Sequence, residues 1–180
     1  MRSFVAILPP PEVQEALARA ARSLPVIGVR WVRPENIHLT LKFLGEIPEE
    51  STPQIDAALS EIARARSPFH IQPEGLGAFP SPQRARILWA GVGAGSTDLE
   101  ELAAMVDEAL SSLGFERERR PFRAHLTLGR ARGRPARLEV AELGSRIPGF
   151  TAGALHLMKS AQGESGVYYE SLAEYPFSER

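Results

Sequence analysis

Two histidines occur in the same four-residue context, His-Leu-Thr-Leu, once at His38 and once at His125. On a β-strand alternate side chains point to opposite faces, so each histidine shares a face with the threonine two residues later, Thr40 or Thr127. The leucines anchor the other face in a core. The polar pair must then face a cleft or solvent, because burying unpaired polar groups costs free energy. The pattern predicts two strands that each present an imidazole and a hydroxyl on an open face.

Two imidazoles that face one point suit in-line displacement at phosphorus. With a reference pKa of about 6.5, one histidine can take a proton from the entering oxygen while the other gives one to the leaving oxygen. The hydroxyls of Thr40 and Thr127 can hold the non-bridging oxygens. Arg130 lies five positions after His125 and would face away from it on a straight strand. A bulge or turn at Gly129 would redirect the arginine to the phosphate.

The elements that must position these residues occur twice along the chain. A strand, a helix and the His-Leu-Thr-Leu strand follow one another in each half, and the two motifs begin 125 − 38 = 87 residues apart. This spacing predicts two related lobes about a pseudo-two-fold axis. The alternation of strands and helices favours an α/β or α+β fold. We expect the α+β class, with a central groove between sheets rich in antiparallel strands. We expect a single compact bilobal domain over 1–180, with approximate halves 1–84 and 85–180.

Other elements are predicted from periodicity and from helix and turn signals. Ser51–Gln54 and Thr97–Glu100 resemble capping boxes, and Gly114 is expected to end a helix in the left-handed conformation. A strand is predicted over Phe69–Leu76 and a weak helix over Pro135–Arg146. A strand pair, Phe150–Met158 and Val167–Tyr175, completes the chain.

Composition narrows the class of protein. The 180 residues are 43% hydrophobic and 24% charged, with a net charge of -1, which is typical of a globular chain. Zero cysteines exclude disulfides, thiolate metal sites and a cysteine nucleophile. Because no apolar run approaches the ~18 residues of a membrane span, we expect a cytoplasmic protein without membrane attachment. We also expect a monomer.

Arginine dominates the basic residues and is concentrated in one segment. Only Lys42 and Lys159 are lysines among 21 basic residues. Between Arg117 and Arg137 eight arginines stand against one acid, Glu118, for a local charge of 8 − 1 = +7. A segment of this kind attracts phosphate, although charge runs are often only solvated faces.

The remaining candidate residues have less specific contexts. His70 and His156 are interpreted as ordinary strand residues, and no histidine spacing typical of a metal site occurs, so no metal is expected. Strict alternation places Phe43 in the core and lets Lys42 reach the groove rim, while Trp31 stays undecided. Neither a dinucleotide-binding fingerprint nor a nucleotide-binding P-loop is complete, so any ligation should not need ATP.

Two segments carry a family resemblance: WVRPENIHLTLKFLG over 31–45 and RPFRAHLTLGR over 120–130. They resemble the paired H-x-T-x signatures of the two-histidine phosphoesterase superfamily, and more narrowly the RNA 2′,3′-cyclic phosphodiesterases, also called 2′-5′ RNA ligases. The resemblance covers nearly the whole chain. Ala124 stands where that family often has proline, which should loosen the segment before His125 slightly.

The resemblance implies a two-lobed fold and no metal or nucleotide cofactor. It implies that His38 donates a proton to the leaving 3′-oxygen and that His125 accepts one from water. The expected partner is an RNA end with a 2′,3′-cyclic phosphate, such as the end of a tRNA fragment, which is opened to a 2′-phosphomonoester. With a 5′-hydroxyl RNA end in place of water, the same chemistry would join ends through a 2′-5′ bond.

Two alternatives stay open. Within the same enzyme class, the substrate could be a small cyclic nucleotide or ADP-ribose cyclic phosphate. In a different class, the chain could be a non-catalytic RNA-binding module that uses the arginine segment 117–137 for salt-sensitive phosphate contacts. The histidine pair favours an enzyme, because binding alone needs arginine rather than two facing imidazoles.

Overall fold

Both histidine motifs fold into β-strands, β3 (Leu39–Glu46) and β7 (Leu126–Ala131), in a computed structural model that describes residues 1–179. Three α-helices lie within these residues: α1 (Pro11–Arg22), α2 (Thr52–Arg64) and α3 (Ser96–Ser111). The other strands are β1 (Arg2–Ile7), β2 (Val29–Trp31), β4 (Phe69–Ile71), β5 (Pro73–Ser81), β6 (Arg84–Val92), β8 (Phe150–Ala152), β9 (Ala154–Gly163) and β10 (Gly166–Pro176).

Eight strands form one sheet in the order β10-β9-β1-β3-β7-β6-β5, with β2 also paired to β7. Every pairing is antiparallel, and β4 and β8 form a small separate sheet. The strands β3 and β7 meet in the middle of the large sheet, with Leu39 opposite Leu126. The predicted α+β class, with two related lobes and antiparallel sheets, is confirmed.

The helices cover the leucine face of the sheet and leave the opposite face open. Leu39 and Leu126 are fully buried, as are Leu17 of α1 and Leu99 of α3. Helix α1 packs against β7, whereas α3 packs against β3, so the helix of each half contacts the histidine strand of the other. This exchange ties the two histidine strands to one core.

The segment predicted as a helix over Pro135–Arg146 is irregular, and that prediction is wrong. Its backbone bonds the neighbouring strands instead: Ala136 pairs with Ala85, and the Ala141 carbonyl accepts the Leu76 N–H at 2.8 Å. Groups used in this way cannot also form helical hydrogen bonds. The segment therefore covers the β5–β6 side of the sheet.

The capping-box predictions are also wrong, although both helices exist. Ser51 has no side-chain capping bond, and α2 carries Pro53 in its first turn. Helix α3 begins after Gly95, whose φ of +93 and close approach to the backbone of His70 require glycine. Gly114 has a φ of +97, as expected just after a helix. None of the helices within residues 1–179 combines the length and apolarity needed to cross a membrane.

Candidate active site

Four motif side chains lie on one face of the sheet, named the groove face here. Leu39 and Leu126 are paired in antiparallel strands and point to the core. Their sequence neighbours point the other way, which brings His38 beside Thr127 and Thr40 beside His125. The pseudo-two-fold axis therefore passes between the two leucines, and each histidine lies next to the threonine of the other motif.

The His38 ring is held by its own chain at both nitrogens. Its Nδ1–H donates to the Asn36 carbonyl at 2.7 Å, which leaves Nε2 as the nitrogen that can exchange a proton. That Nε2 is 2.9 Å from the Thr40 hydroxyl oxygen. The Asn36 side chain in turn donates to the Val167 carbonyl of β10. The loop before β3 is thus fixed against β10, and the imidazole is fixed with it.

The His125 ring is oriented in the same way. Its Nδ1–H donates to the Arg123 carbonyl at 2.7 Å, again two residues earlier in the chain. The Arg123 guanidinium lies 4.9 Å from the centre of the Trp89 ring. The identical carbonyl position in both motifs assigns the proton to Nδ1 and leaves both Nε2 atoms for chemistry.

Aromatic rings surround both imidazoles. The His38 ring centre is 4.8 Å from that of Phe4 and 4.9 Å from that of Tyr169, while the His125 centre is 5.1 Å from Phe79. None of these three aromatic residues was identified from the sequence. These rings remove water from the imidazoles.

Burial among these rings lowers the pKa of His38 and of His125 below the ordinary histidine value. The carbonyl bonds from Nδ1–H oppose this shift, and nearby positive charge adds to it. Arg130 contributes to the lowering at both rings, and His125 contributes at His38. The two imidazoles and one guanidinium are therefore close enough to share one electrostatic environment.

A β-bulge in β7 brings Arg130 to the groove face. Thr127 is opposite Trp89 of β6 but Gly129 is opposite Leu88, so one extra residue, Leu128, lies between them. Beyond this bulge the alternation is reversed, and Arg130 shares a face with Thr127. The sequence predicted a bulge or turn at Gly129 that would redirect Arg130. The bulge is present one residue earlier, at Leu128.

The same bulge occurs at the equivalent position of β3 and overturns two interpretations. Thr40 is opposite Ala6 of β1, whereas Lys42 is opposite Val5, so Leu41 is the extra residue. Lys42 consequently points to the core and is 5% exposed, and it does not reach the groove rim. Phe43 lies on the groove face and is 71% exposed, so its assignment to the core is wrong.

Lys42 has a structural partner inside the protein. Its ammonium lies 2.5 Å from a carboxylate oxygen of Asp107 in α3 and donates to the Glu116 carbonyl at 2.8 Å. Burial alone would raise the pKa of Asp107, but the Lys42 ammonium and the Glu118 N–H hold it below its ordinary value. Lys42 therefore fixes the loop that leads to β7.

Trp31, His70 and His156 lie in three different parts of the structure. Trp31 is opposite Gly129 and packs over it on the core face, where a Cβ at Gly129 would collide with the Trp31 ring. His70 lies on β4 in the small sheet, away from the groove face. His156 is opposite Ala6 of β1, which places it on the groove face two strands from β3.

The arginine segment 117–137 does not act as one surface. Arg117, Arg119 and Arg137 each lie within ion-pair distance of a glutamate. Arg123 stacks on Trp89, and Arg130 lies on the groove face. Charge density along the sequence thus overestimates how many of these arginines serve the groove.

Within residues 1–179 no group of three or more histidine or acidic side chains is arranged to hold a metal ion. The polar groups that converge are two imidazoles, two hydroxyls and one guanidinium. The imidazoles can exchange protons near neutral pH, and the hydroxyls and guanidinium can donate hydrogen bonds to an anion. Such a set suits a phosphate ester as the reacting group.

Comparison with known proteins gives the same family in three ways. The protein-family model described as LigT like Phosphoesterase matches residues 7–89 and 92–169. A curated RNA 2′,3′-cyclic phosphodiesterase of Archaeoglobus fulgidus is 44% identical over 133 residues, which are 73% of this chain and 73% of the relative. The protein of the same name from Aeropyrum pernix is 36% identical over 165 residues, 88% of this chain and 93% of the relative.

Solved structures agree with these sequence matches. The crystal structure of Escherichia coli LigT complexed with 3′-AMP has a TM-score of 0.85 at 25% identity and covers 99% of this chain and 98% of its own. The crystal structure of a Thermus thermophilus protein has a TM-score of 0.83 at 29% identity, with 98% of both chains covered. The similarity extends over both lobes and the groove between them.

Proposed function

The chain belongs to the LigT-like phosphoesterase family, and from this we propose that it opens terminal 2′,3′-cyclic phosphates of RNA to 2′-phosphomonoesters. The named activity of the curated relatives supports the choice of substrate. The single observation that carries the mechanism is the pair of imidazoles, each fixed through Nδ1 and each offering Nε2 to the same groove.

In the proposed step, His125 Nε2 takes a proton from a water molecule as the water oxygen attacks phosphorus. The P–O3′ bond breaks on the opposite side, and His38 Nε2–H gives its proton to the leaving 3′-oxygen. One water is consumed, and the product carries a 2′-phosphate and a free 3′-hydroxyl. Each proton transfer is typically worth ~10²–10⁴ in rate.

We infer that Thr40, Thr127 and Arg130 bind the phosphate during this step. The Thr40 hydroxyl is 2.9 Å from His38 Nε2, so an oxygen bonded to that hydroxyl would also lie near the proton donor. Arg130 supplies a positive charge where the phosphorane gains negative charge. A 5′-hydroxyl RNA end could replace water without changing any of these roles, which would give a 2′-5′ bond.

The test is an assay with RNA oligonucleotides that end in a 2′,3′-cyclic phosphate, with 2′- and 3′-phosphate products resolved by chromatography. We expect conversion to the 2′-phosphate alone, at an undiminished rate in EDTA and without ATP. Formation of the 3′-phosphate would overturn the assignment of the leaving oxygen. Tight RNA binding without turnover would favour the non-catalytic binding module instead.

The small-molecule alternative is tested in the same assay. Nucleoside 2′,3′-cyclic phosphates and ADP-ribose cyclic phosphate are compared with the oligonucleotide by their kcat/KM values. A higher kcat/KM for the small substrates would identify them as the better fit to the groove. The expected order places the oligonucleotide first.

A further inference from the structure

A second arginine lies directly beside Arg130 on the groove face. Strand β2 pairs with β7 beyond the point where β3 leaves it, and in that ladder Arg30 is directly opposite Arg130. Directly opposed residues of antiparallel strands share a face, with their Cβ atoms about 4.5–5.5 Å apart. Arg30 is exposed there. The sequence pattern carried no signal for Arg30, because the sequence predicts no strand at β2.

Like charges in directly opposed positions of a sheet are destabilising. A neighbouring carboxylate would relieve the repulsion, as Glu108, Glu116 and Glu139 do for other arginines. Among the ion pairs of residues 1–179, however, none involves Arg30 or Arg130. Two exposed guanidinium groups side by side on the groove face, neither in an ion pair, can attract more than one negative charge.

The two arginines differ in their relation to the reacting centre. Arg130 follows Thr127 on β7, and its charge acts on both catalytic imidazoles. Arg30 lies on the neighbouring strand β2, which pairs with the end of β7 where β3 no longer does. A substrate whose reacting phosphate lies at Thr127 and Arg130 therefore has room for a second phosphate at Arg30.

We propose that Arg30 binds the phosphate on the 5′ side of the terminal nucleotide, and so makes the enzyme prefer RNA chains over cyclic mononucleosides. This inference rests on the proposed function, because it assumes that the cyclic phosphate reacts between His38 and His125. A phosphate contact carries no base information, so the preference is the same for all terminal bases.

The experiment compares three substrates: adenosine 2′,3′-cyclic phosphate, the same compound with a 5′-phosphate, and a dinucleotide that ends in the cyclic phosphate. Each is assayed with the wild type, Arg30→Gln, Arg30→Lys and the control Arg64→Gln, which removes the same charge from an exposed position of α2. We expect Arg30→Gln to lower kcat/KM about tenfold for the two substrates with a 5′-phosphate and to leave the first substrate unchanged. Arg30→Lys should recover most of this loss.

Salt dependence gives an independent readout. For the dinucleotide, Arg30→Gln should reduce the slope of log kcat/KM against log salt by about 0.7, the value for one phosphate contact on a single strand. An equal loss on all three substrates, or no loss on any, would overturn the proposal for Arg30. Failure of the wild type to hydrolyse all three would instead overturn the proposed function, so the two failures are distinguishable.

Discussion

Leu39 and Leu126 are directly opposite each other at the junction of the two lobes, and both are fully buried. This one pairing aligns the two histidine motifs about the pseudo-two-fold axis. It brings each histidine beside the threonine of the other motif on the groove face. A shift of either strand by one residue would turn its polar pair into the core, so the buried leucines fix the register of the site.

Replacement of either motif histidine by alanine should abolish most of the activity. His38→Ala removes the proposed acid and His125→Ala the proposed base, so each should lower kcat by about 10²–10⁴ on a cyclic-phosphate oligonucleotide. His70→Ala, in the small sheet, is the matched control and should leave kcat unchanged. Thermal unfolding curves check that all three variants fold. Near-wild-type kcat in either motif variant would contradict the mechanism.

A sulfur-substituted substrate should separate the roles of the two histidines. Thiolates leave without protonation far more readily than alkoxides, because a thiol has a pKa of only about 8.5. A cyclic phosphate with sulfur at the 3′ position should therefore restore turnover by His38→Ala but not by His125→Ala. Thiol release is followed with a chromogenic disulfide. If the sulfur substrate restored turnover only in His125→Ala, the assignment of acid and base would be reversed.

Activity should decline as the pH rises through neutrality. The mechanism needs one protonated and one neutral imidazole, and burial lowers the pKa of both His38 and His125 below the ordinary value. In the free enzyme the donor therefore begins to lose its proton at a pH below about 6.5. As the pH rises further, the protonated fraction falls, and kcat/KM falls with it. Bound phosphate, being an anion, raises the pKa of the donor, so the alkaline limb of kcat should lie at higher pH. Rates of kcat and kcat/KM measured from acid to alkaline pH test both profiles. A kcat/KM that still rises with pH above about 6.5 would contradict the assignment.

The sequence predicted the placement of the four motif side chains because strict alternation holds through the motifs. His38, Thr40, His125 and Thr127 lie on one face, and the intervening leucines lie in the core, as the period of two requires. The repeat spacing of 87 residues also predicted the two lobes. The alternation is local and the repeat is a similarity within the chain itself, so a single sequence is sufficient to predict both.

Alternation failed one residue past each motif, where a bulge reverses the faces. The bulged residues, Leu41 and Leu128, are themselves 87 positions apart, so the bulge foreseen for Arg130 implied the same bulge before Phe43. Phe43 and Arg130 are therefore equivalent positions of the two lobes, one aromatic and one cationic. The place of Arg30 beside Arg130 depends on the pairing of β2 with β7, which are distant in sequence. Periodicity does not reveal such a pairing.

Arg130 should affect both the rate and the pH profile. Arg130→Met removes the proposed donor to the reacting phosphate and should lower kcat by about 10²–10³. Since the Arg130 charge helps lower the pKa of both histidines, its loss should also move the alkaline limb of kcat/KM to higher pH. Arg130→Lys keeps the charge and should leave the limb in place. A loss of rate with an unmoved limb in Arg130→Met would indicate that the arginine lies farther from the imidazoles.

The reversed faces of Lys42 and Phe43 predict a large loss of stability at Lys42 and a small change at Phe43. Lys42→Met leaves the Asp107 carboxylate without its cation at a position only 19% exposed, and should lower the free energy of unfolding by about 1–3 kcal/mol. Phe43→Ser alters a side chain that is 71% exposed and should change that free energy by less than about 1 kcal/mol. Adding Asp107→Asn to Lys42→Met removes the unpaired charge and should recover part of the loss. Urea unfolding of the wild type, the two single variants and the double variant measures these differences. A larger loss of unfolding free energy in Phe43→Ser than in Lys42→Met would contradict the assigned faces and the bulge at Leu41.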